Sequence, residues 1–522
     1  MPTLIRGRVH YGRTATLGLA LPAVAWAATT KPQVANVLGG SARDPGSPVD
    51  EAGRVQFGRG SGALGSQRRV AGLHKGMRLG AGRAGALHGP GPDHWKSTMA
   101  ERDPRNRTGR SPLRRGLVTA VLAACMLTAS TAPGYGTDAS GPGAGPQFTP
   151  LTAAVMTEPT PFPATDGRTH LSYELLTTNA LPSSTRVRLD RVEVRDARTH
   201  RVVGSLSGQA LADAANPVGD PLPGADGYTP APPGPTPTVI PGSQQWVIWL
   251  DLALDRGQRV PKVLEHRLSG AVVTASGSSP FEETVQVTPT GRTAPMNLDA
   301  PVRPGTWYSS ESCCGNTHHR RGLGPINGRF YVPQRFAIDW YRVGERGRTW
   351  EGDPTRLTSY LSYRQPVVAA AGGRVVEVQD GIPDNTPPVT PPVPPIEETV
   401  GNHVTVEVAP GRYLLYAHLK PGSPKVREGD HVEPGRVLGL IGNSGNSTTP
   451  HLHFQVMTTA EFFPTDSPPF TFREFRVVGQ VEPRLWDDNL GTQPTGVLPI
   501  TPSPHDGPHR ARYPLDREVL EF

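Results

Sequence analysis

The sequence predicts an all-β protein, in which an immunoglobulin-like β-sandwich is followed by a compact antiparallel β domain after a disordered N-terminal region. Two observations predict this fold class. Short apolar, β-branched segments alternate with charged residues, and Gly- and Pro-rich turns separate these segments. In addition, 60 Gly, 58 Pro and only 36% hydrophobic residues indicate long stretches that bury no core. The expected divisions of the chain are residues 1–147, 148–300, 301–480 and 481–522.

The first division contains two segments that are typical of export signals. Arginines precede the apolar residues 15–27, and a second group of arginines precedes the apolar residues 117–127. The region 29–110 between them is rich in Gly, Arg and Ala and has no apolar periodicity, which predicts disorder. Because one exported protein needs only one signal, we expect the biological start to be Met99.

The second signal-like segment leaves two kinds of export open. Leu122-Ala-Ala-Cys matches a lipoprotein cleavage box, which would make Cys125 a lipidated N-terminus. The apolar run continues past this cysteine, however, as in an ordinary secretory signal. Both alternatives place the protein outside the cell or in the cell envelope. A chain with 3 Cys and no disulfide framework is compatible with either.

The positive net charge of +7 is concentrated near the N-terminus. Residues 1–120 carry 19 Lys and Arg against 6 Asp and Glu, so acidic residues are in excess over the rest of the chain. A mildly acidic folded part does not favour binding to nucleic acid. We therefore expect no nucleic-acid partner.

Residues 148–300 contain short predicted strands whose charged residues face outward. Their spacing by turn-rich segments favours an immunoglobulin-like sandwich, although the usual Cys pair is missing. The proline-rich segment 230–241 predicts an extended surface loop. Since no group here has catalytic spacing, we interpret this division as a spacer or binding module. Its predicted strands are 170–175, 187–194, 246–252 and 270–274.

The third division ends in a His-x-His pair within an apolar, β-branched run. Successive strand residues point to opposite faces, so His451 and His453 share one face of a strand. Neutral imidazole nitrogens are good zinc ligands, and an imidazole beside a metal can also move a proton. The preceding segments form alternating strands at 402–408, 413–419, 426–432 and 437–442, followed by a glycine-rich turn.

In their order and amino-acid sequence, these segments resemble the lysostaphin/LytM-type zinc metallopeptidases, and they include Tyr-Ala-His-Leu at 416–419. The resemblance covers about residues 307–479. That family hydrolyses peptide crosslinks of bacterial cell wall and holds one zinc with His-x-x-x-Asp and the second His of His-x-His. The resemblance implies that His453 and Asp339 are metal ligands and that His418 and His451 activate water and stabilise the tetrahedral intermediate. It also implies a metalloendopeptidase that uses Zn²⁺ and acts on peptidoglycan peptides. The signal-like segments predict that this enzyme is exported, and we expect a monomer.

The chain departs from the family pattern four residues before Asp339. Arg335 stands where the family has its first His, and a protonated arginine has no lone pair for a metal. His318 or His319 could fill the vacated position if the following hairpin folds back, and we favour His319. Otherwise the domain is a degenerate, non-catalytic one that binds cell wall or regulates another hydrolase.

Two adjacent cysteines precede these histidines and offer another set of donors. Cys313 and Cys314 could bind zinc as thiolates. Neighbouring Cα atoms lie about 3.8 Å apart, below the usual range for a disulfide, so we expect free or metal-bound thiols.

Other features receive simpler interpretations. His403 is expected to be a packed or edge histidine and His431 a turn residue. The proline-rich insert 383–395 is long enough to be functional, and the resemblance suggests that it narrows the substrate groove. Residues 481–522 are expected to form a Pro-rich tail along the surface.

Overall fold

The computed structural model describes residues 148–219, 237–482 and 496–522. Regular structure in these ranges is nearly all β, which confirms the predicted fold class. Both signal-like segments, Met99, Cys125 and most of the 230–241 loop lie outside the described residues. Within the described ranges, the helices are all too short or too polar to span a membrane.

Residues 151–289 form two sheets that we call the paired sheets. One sheet has the order β1-β3-β8-β6 with β2 also on β3, and the other has the order β10-β9-β4-β5 with β7 also on β4. The elements are β1 (Leu151–Val155), β2 (Phe162–Pro163), β3 (Thr169–Asn179), β4 (Arg186–Asp196), β5 (Val202–Ser207), α1 (Gly208–Asp213), β6 (Ala215–Pro217), β7 (Thr238–Pro241), β8 (Gln244–Leu254), β9 (Val263–Thr274) and β10 (Gly277–Pro289).

The paired sheets enclose one buried apolar cluster. Alternating residues of β4, such as Val192 and Val194, meet alternating residues of β3 and β8, such as Leu175 and Leu250. Because each strand turns every second side chain inward, the two sheets share a core, and the opposite face of β3 and β8 is also largely buried, as Glu174 and Trp249 show. Immunoglobulin-like character and the use of this region as a separate domain remain predictions.

The described residues after 290 build a large central sheet with the order β11-β23-β26-β12-β15-β22-β19-β18-β17-β20. Two smaller pairs, β13-β14 and β16-β21, flank it. The elements are β11 (Met296–Leu298), β12 (Thr306–Ser310), α2 (His318–Arg321), β13 (Gly324–Ile326), β14 (Arg329–Tyr331), β15 (Ile338–Arg342), β16 (Pro366–Val368), β17 (Gly373–Gln379), β18 (Asn402–Ala409), β19 (Arg412–Leu419), β20 (His431–Val432), β21 (Val437–Leu440), β22 (Leu452–Met457), β23 (Phe470–Val481), β24 (Ile500–Thr501), β25 (Gly507–Arg512) and β26 (Glu518–Glu521).

The C-terminal segment is part of this sheet, so the predicted surface tail over 481–522 is wrong for its described portion. Strand β26 lies between β12 and β23, and Val519 and Leu520 are fully buried. The segment escaped prediction because adjacent apolar residues are buried on both faces of the sheet. Such a strand shows no alternation over its four residues.

The two faces of the central sheet have different roles. Trp340, Tyr416 and Phe454 point into the main apolar core. Asp339 and His453, one residue before each of two of these aromatics, therefore point to the opposite face. The core aromatics fix these strands, and the fixed strands place the polar face.

One short strand of the paired sheets enters the core of the central sheet. The Phe162 side chain in β2 packs edge-on against Phe336, with ring centroids 5.1 Å apart, and against Tyr513 at 5.5 Å. Phe162 is fully buried and belongs to the main core cluster. The two regions therefore share apolar packing as well as the polar contacts described below.

Candidate metal centre

The centre begins with two neighbouring strands whose register places Asp339 opposite His453. On the other side of β22, His453 pairs with Ala417 of β19. Directly paired residues on neighbouring strands project to the same face of a sheet. The backbone ladder alone therefore brings the carboxylate and the imidazole together, and His453 Nδ1 lies 3.0 Å from Asp339 Oδ1.

His418 reaches the same face through an irregular backbone. It follows Ala417, so regular alternation would turn its side chain away from His453. Instead His418 has a φ of +58°, in the left-handed region that a non-glycine residue rarely adopts. Its ring lies with its centroid 4.9 Å from that of His451 and 5.7 Å from that of His453. A residue held in this conformation at a site is consistent with a functional constraint.

His319 arrives from the loop that follows β12. Strand β12 pairs with β15, with Ser310 opposite Asp339, and the chain then folds back into α2. Thr317 caps this short helix by accepting a hydrogen bond from the backbone of Arg320 at 3.1 Å. His319 Nε2 lies 3.5 Å from Asp339 Oδ2. The β13–β14 hairpin folds back after α2 as expected, and His319 Nδ1 lies 3.3 Å from the carbonyl oxygen of Ala337, two residues before Asp339.

The structure brings all five predicted site residues together and buries each of them. Donor atoms of His319, Asp339 and His453 lie within 4.8 Å of one another. A single ion with bonds of about 2 Å to nitrogen and oxygen fits between such donors. His451 Nε2 lies 3.3 Å from Asp339 Oδ2, on the border of this group.

In each of three histidines, a backbone carbonyl determines which ring nitrogen carries the proton. Nδ1 of His319 faces the carbonyl oxygens of Glu311 and Ala337, at 3.2 and 3.3 Å. Nδ1 of His418 lies 2.7 Å from the Ser444 oxygen, and Nδ1 of His451 lies 2.7 Å from the Thr449 oxygen. Carbonyl oxygens only accept, so each Nδ1 donates and each neutral ring keeps its lone pair on Nε2.

For His453, the Gln455 side chain places the proton on Nε2, whereas the other three histidines carry it on Nδ1. The Gln455 amide nitrogen donates to the carbonyl of Pro333 at 2.9 Å, which leaves Oε1 facing His453 Nε2 at 2.9 Å. His453 Nε2 therefore donates, and its lone pair on Nδ1 points at Asp339. Gln455 was missed in the sequence, although period-two alternation places it on the face of His451 and His453.

The electrostatics keep Asp339 ionised and two of the rings neutral. Burial raises the pKa of Asp339, but His451 and His319 more than offset this, and the pKa lies well below its usual value. Burial lowers the pKa of His319 and, together with His451, holds the pKa of His418 well below its usual range. For His451, Asp339 outweighs burial and the pKa is raised. Neutral imidazoles and an ionised carboxylate are the protonation states that metal ligands require.

Arg335 lies away from these donors and binds a carboxylate of the paired sheets. Its Nε lies 2.8 Å from Glu174 Oε1 and its Nη2 lies 2.7 Å from Glu174 Oε2, a two-pronged ion pair. Glu174 is completely buried. Burial raises the pKa of Glu174, but Arg335 and Arg320 outweigh it, so the pKa is lowered and the carboxylate stays charged.

The prediction of free or metal-bound thiols was wrong. Cys313 and Cys314 are joined in a disulfide, with Cα atoms 3.1 Å apart. The spacing of about 3.8 Å holds across a trans peptide, whereas the 313–314 peptide is cis. A disulfide sulfur offers no thiolate, so this pair adds no ligand to the centre.

Three further histidines considered as candidates lie outside the group of donors, namely His318, His403 and His431. His318 Nδ1 faces Glu311 Oε1 at 3.3 Å, and its side chain is 38% exposed. His403 is buried and bonds the carbonyl of Gly401 at 2.8 Å, whereas His431 is exposed on edge strand β20.

The proline-rich insert is attached beside the centre. Asp384 Oδ1 accepts from the backbone of Asn443 at 2.7 Å, and Asn385 Nδ2 donates to the carbonyl of Gly445 at 2.7 Å. These contacts hold the insert against the turn that leads to His451. Further along the insert, Val389 and Val393 are each 61% exposed. A role in narrowing a substrate groove remains a prediction.

Comparison with known proteins agrees with the resemblance. Residues 360–464 match the model of Peptidase family M23. Glycyl-glycine endopeptidase ALE-1 of Staphylococcus capitis is 44% identical over 57 residues, which are 11% of this chain and 15% of that protein. DD-carboxypeptidase/endopeptidase Mpg of Neisseria meningitidis serogroup B is 46% identical over 55 residues, 10% of this chain and 12% of that protein. The matches thus span less than a sixth of these relatives.

Among solved structures, the catalytic domain of lysostaphin from Staphylococcus simulans is 21% identical, with 32% of this chain and 89% of that chain covered and a TM-score of 0.18. The family model and these relatives support a lysostaphin/LytM-type peptidase family for residues 360–464. The matched range contains His418, His451 and His453 but neither His319 nor Asp339.

Proposed function

We propose that this chain is an exported zinc-dependent metalloendopeptidase that hydrolyses peptide bonds in bacterial cell-wall peptidoglycan. The observation that carries the proposal is the set of facing lone pairs. His319 Nε2 and His453 Nδ1 both point at the ionised Asp339, and their other ring nitrogens are committed as donors. Acceptors that face one another in a buried site repel unless a cation lies between them.

The donor set fits zinc. Two imidazole nitrogens and one carboxylate are a usual three-ligand set for catalytic zinc. When bound there, the ion would act as a Lewis acid and would make water a nucleophile at neutral pH. His319, Asp339 and His453 would hold it.

The remaining two histidines have the chemistry of proton carriers. His418 and His451 each donate Nδ1–H to a carbonyl, so Nε2 is the nitrogen that can take a proton from the attacking water, and in His451 this nitrogen also lies 3.3 Å from Asp339 Oδ2. Once protonated, the same Nε2–H can donate to the oxyanion that forms on the peptide carbonyl, or to the leaving amine. The carbonyls of Ser444 and Thr449 orient both rings and stabilise their charged forms.

The choice of peptidoglycan rests on the family. Two of the matched relatives are named as endopeptidases, and the resemblance implies cell-wall peptides as substrates. The alternative is a degenerate domain, as suggested by Arg335. Because Arg335 is engaged with Glu174 and His319 offers a third donor, its presence does not require the loss of metal.

The proposal is tested on the purified full-length chain. We expect one zinc per molecule by plasma mass spectrometry, and we expect release of new amino groups from isolated cell-wall sacculi. A chelator should remove the zinc and abolish the release of amino groups, and added zinc should restore the zinc content and the release. His403→Ala, which removes a buried histidine outside the centre, is the matched control and should retain them. Stoichiometric zinc without any cleavage would favour the degenerate domain, and a folded protein that binds no zinc would refute the proposal.

A further inference from the structure

The short helix α2 has neighbours on two sides. His319 faces Asp339 in the central sheet, whereas Arg320 and Arg321 enter the paired sheets. The ring of Trp249 lies beside both guanidinium groups, with centroid distances of 5.1 and 5.4 Å. Four residues cannot hold a helical turn by their own hydrogen bonds, because nucleation of a helix is unfavourable. The position of His319 therefore depends on contacts outside the helix, which are the bond from the His318 backbone to Glu311 Oε2 at 2.6 Å and the partners of the two arginines.

Arg320 is held by a dense set of acceptors. Its Nη1 bonds Glu174 Oε1 at 2.5 Å, and its Nε bonds Asp251 Oδ1 at 3.0 Å. Its Nη2 donates to the carbonyl of Tyr173 at 3.0 Å. The Arg320 side chain is fully buried. A planar guanidinium with this many fixed partners has one position, so the backbone of α2 has one position as well.

Glu174 joins this anchor to the segment that leads to Asp339. The same carboxylate that binds Arg320 also binds Arg335 through two hydrogen bonds. Arg335 precedes Asp339 by four residues and belongs to the turn before β15. One buried anion of the paired sheets thus holds α2, which carries His319, and the turn before β15, whose pairing with β22 places Asp339.

We propose that Glu174 is a positioning residue for the metal centre, which binds Arg320 and Arg335 so that His319 and Asp339 face each other. The proposal rests on the proposed zinc site, since it deepens the account of that site. It assigns to the paired sheets a share in building the centre, in addition to any role as a spacer or binding module. Glu174 touches none of the five site residues and acts only through the arginines.

The first test compares three full-length variants. Glu174→Gln keeps the shape but removes the charge. Arg320→Met releases α2 and leaves Glu174 paired with Arg335, while the partly exposed Asp251 loses its arginine but keeps its hydrogen bond from Ser172. Arg195→Met is the control, because it removes an arginine bound to Glu193 at a remote site of the paired sheets. Circular dichroism and the melting temperature establish that each variant is folded.

Two measurements then follow the centre. With Co²⁺ as the probe, we expect about tenfold weaker binding in Glu174→Gln and Arg320→Met and a loss of visible absorption intensity toward that of His319→Ala. In the metal-free protein, we expect diethyl pyrocarbonate to modify His319 in both variants, while the side chain stays protected in the wild type and in Arg195→Met. The second measurement needs no metal, so it separates the positioning role from the zinc site.

Each outcome decides a different statement. Unchanged Co²⁺ spectra and unchanged protection of His319 in folded Arg320→Met would overturn the positioning role. If Glu174→Gln fails to fold, Arg320→Met alone decides. If the wild type binds no Co²⁺ but His319 becomes modified in the two variants, the zinc site is refuted. The role of Glu174 in placing α2 would then still be supported.

Discussion

The two sides of the candidate metal centre are built in different ways. On the sheet side, Asp339 and His453 face each other because the backbones of β15 and β22 are hydrogen bonded in that register. On the loop side, His319 lies on a four-residue helix that side chains of the paired sheets hold in place. A ligand on a strand inherits its position from the sheet, whereas a ligand on a loop requires anchors that lie elsewhere in the sequence.

The largest effect is expected on the sheet side. Replacement of His453 by Ala should abolish stoichiometric zinc binding, because two remaining donors do not hold the ion against water and chelators. The fold should persist, because the β15–β22 ladder uses backbone atoms. Plasma mass spectrometry measures the zinc content, and circular dichroism measures whether the fold persists. Nearly full zinc occupancy in this variant would contradict the ligand assignment.

Arg335→His tests whether the family ligand can simply be restored. We expect no gain in zinc affinity, since His319 already supplies the third donor, and a loss of about 1 to 3 kcal/mol in the free energy of unfolding, because Glu174 loses one of its two buried arginine partners and keeps Arg320. Chemical denaturation and zinc titration check both. Higher zinc affinity and higher peptidase activity in the variant would show that the natural centre is degenerate.

The two proton-carrying histidines should separate binding from turnover. His418→Ala and His451→Ala should each keep zinc while lowering turnover by roughly 10²-fold or more. Zinc analysis and release of amino groups from sacculi are measured on the same preparations. Loss of zinc from either variant would mean that a ligand and a catalytic residue have been exchanged.

The smallest effect is expected on the loop side. Thr317→Ala removes the cap of α2 and should cost about 1 kcal/mol, or roughly fivefold in zinc affinity. Thr355→Ala removes a comparable hydroxyl contact, to Asp353 at 2.7 Å in an exposed turn, and should leave the affinity unchanged. Equal affinities in the two variants would show that α2 is held without its cap.

The same contrast explains what the sequence could predict. The fold class and the shared face of His451 and His453 follow from local patterns, because alternation and the His-x-His spacing are visible within a few residues, whereas Asp339 was implied by the family resemblance. His319 was predicted only as one of two candidates, since no local pattern distinguishes it from His318. The structure separates them through Glu311, which bonds His318, and through the direction of α2.

The residues that were missed act over long distances in the chain. Glu174 lies 146 residues from Arg320 and 161 from Arg335, and it carries no motif of its own. A single glutamate within an alternating strand looks like any solvent-facing charge. Its complete burial becomes apparent only when both arginines are brought against it by the fold.

The insertion of Phe162 into the core of the central sheet has a consequence for the way the molecule melts. Two regions joined only by a linker unfold in separate steps, whereas regions that share buried side chains lose their packing together. Withdrawal of the Phe162 ring would open a cavity beside Phe336, in the turn that leads to Asp339. We therefore expect a single calorimetric transition over the described regions, and a Phe162→Ala protein that melts earlier throughout without resolving into two peaks.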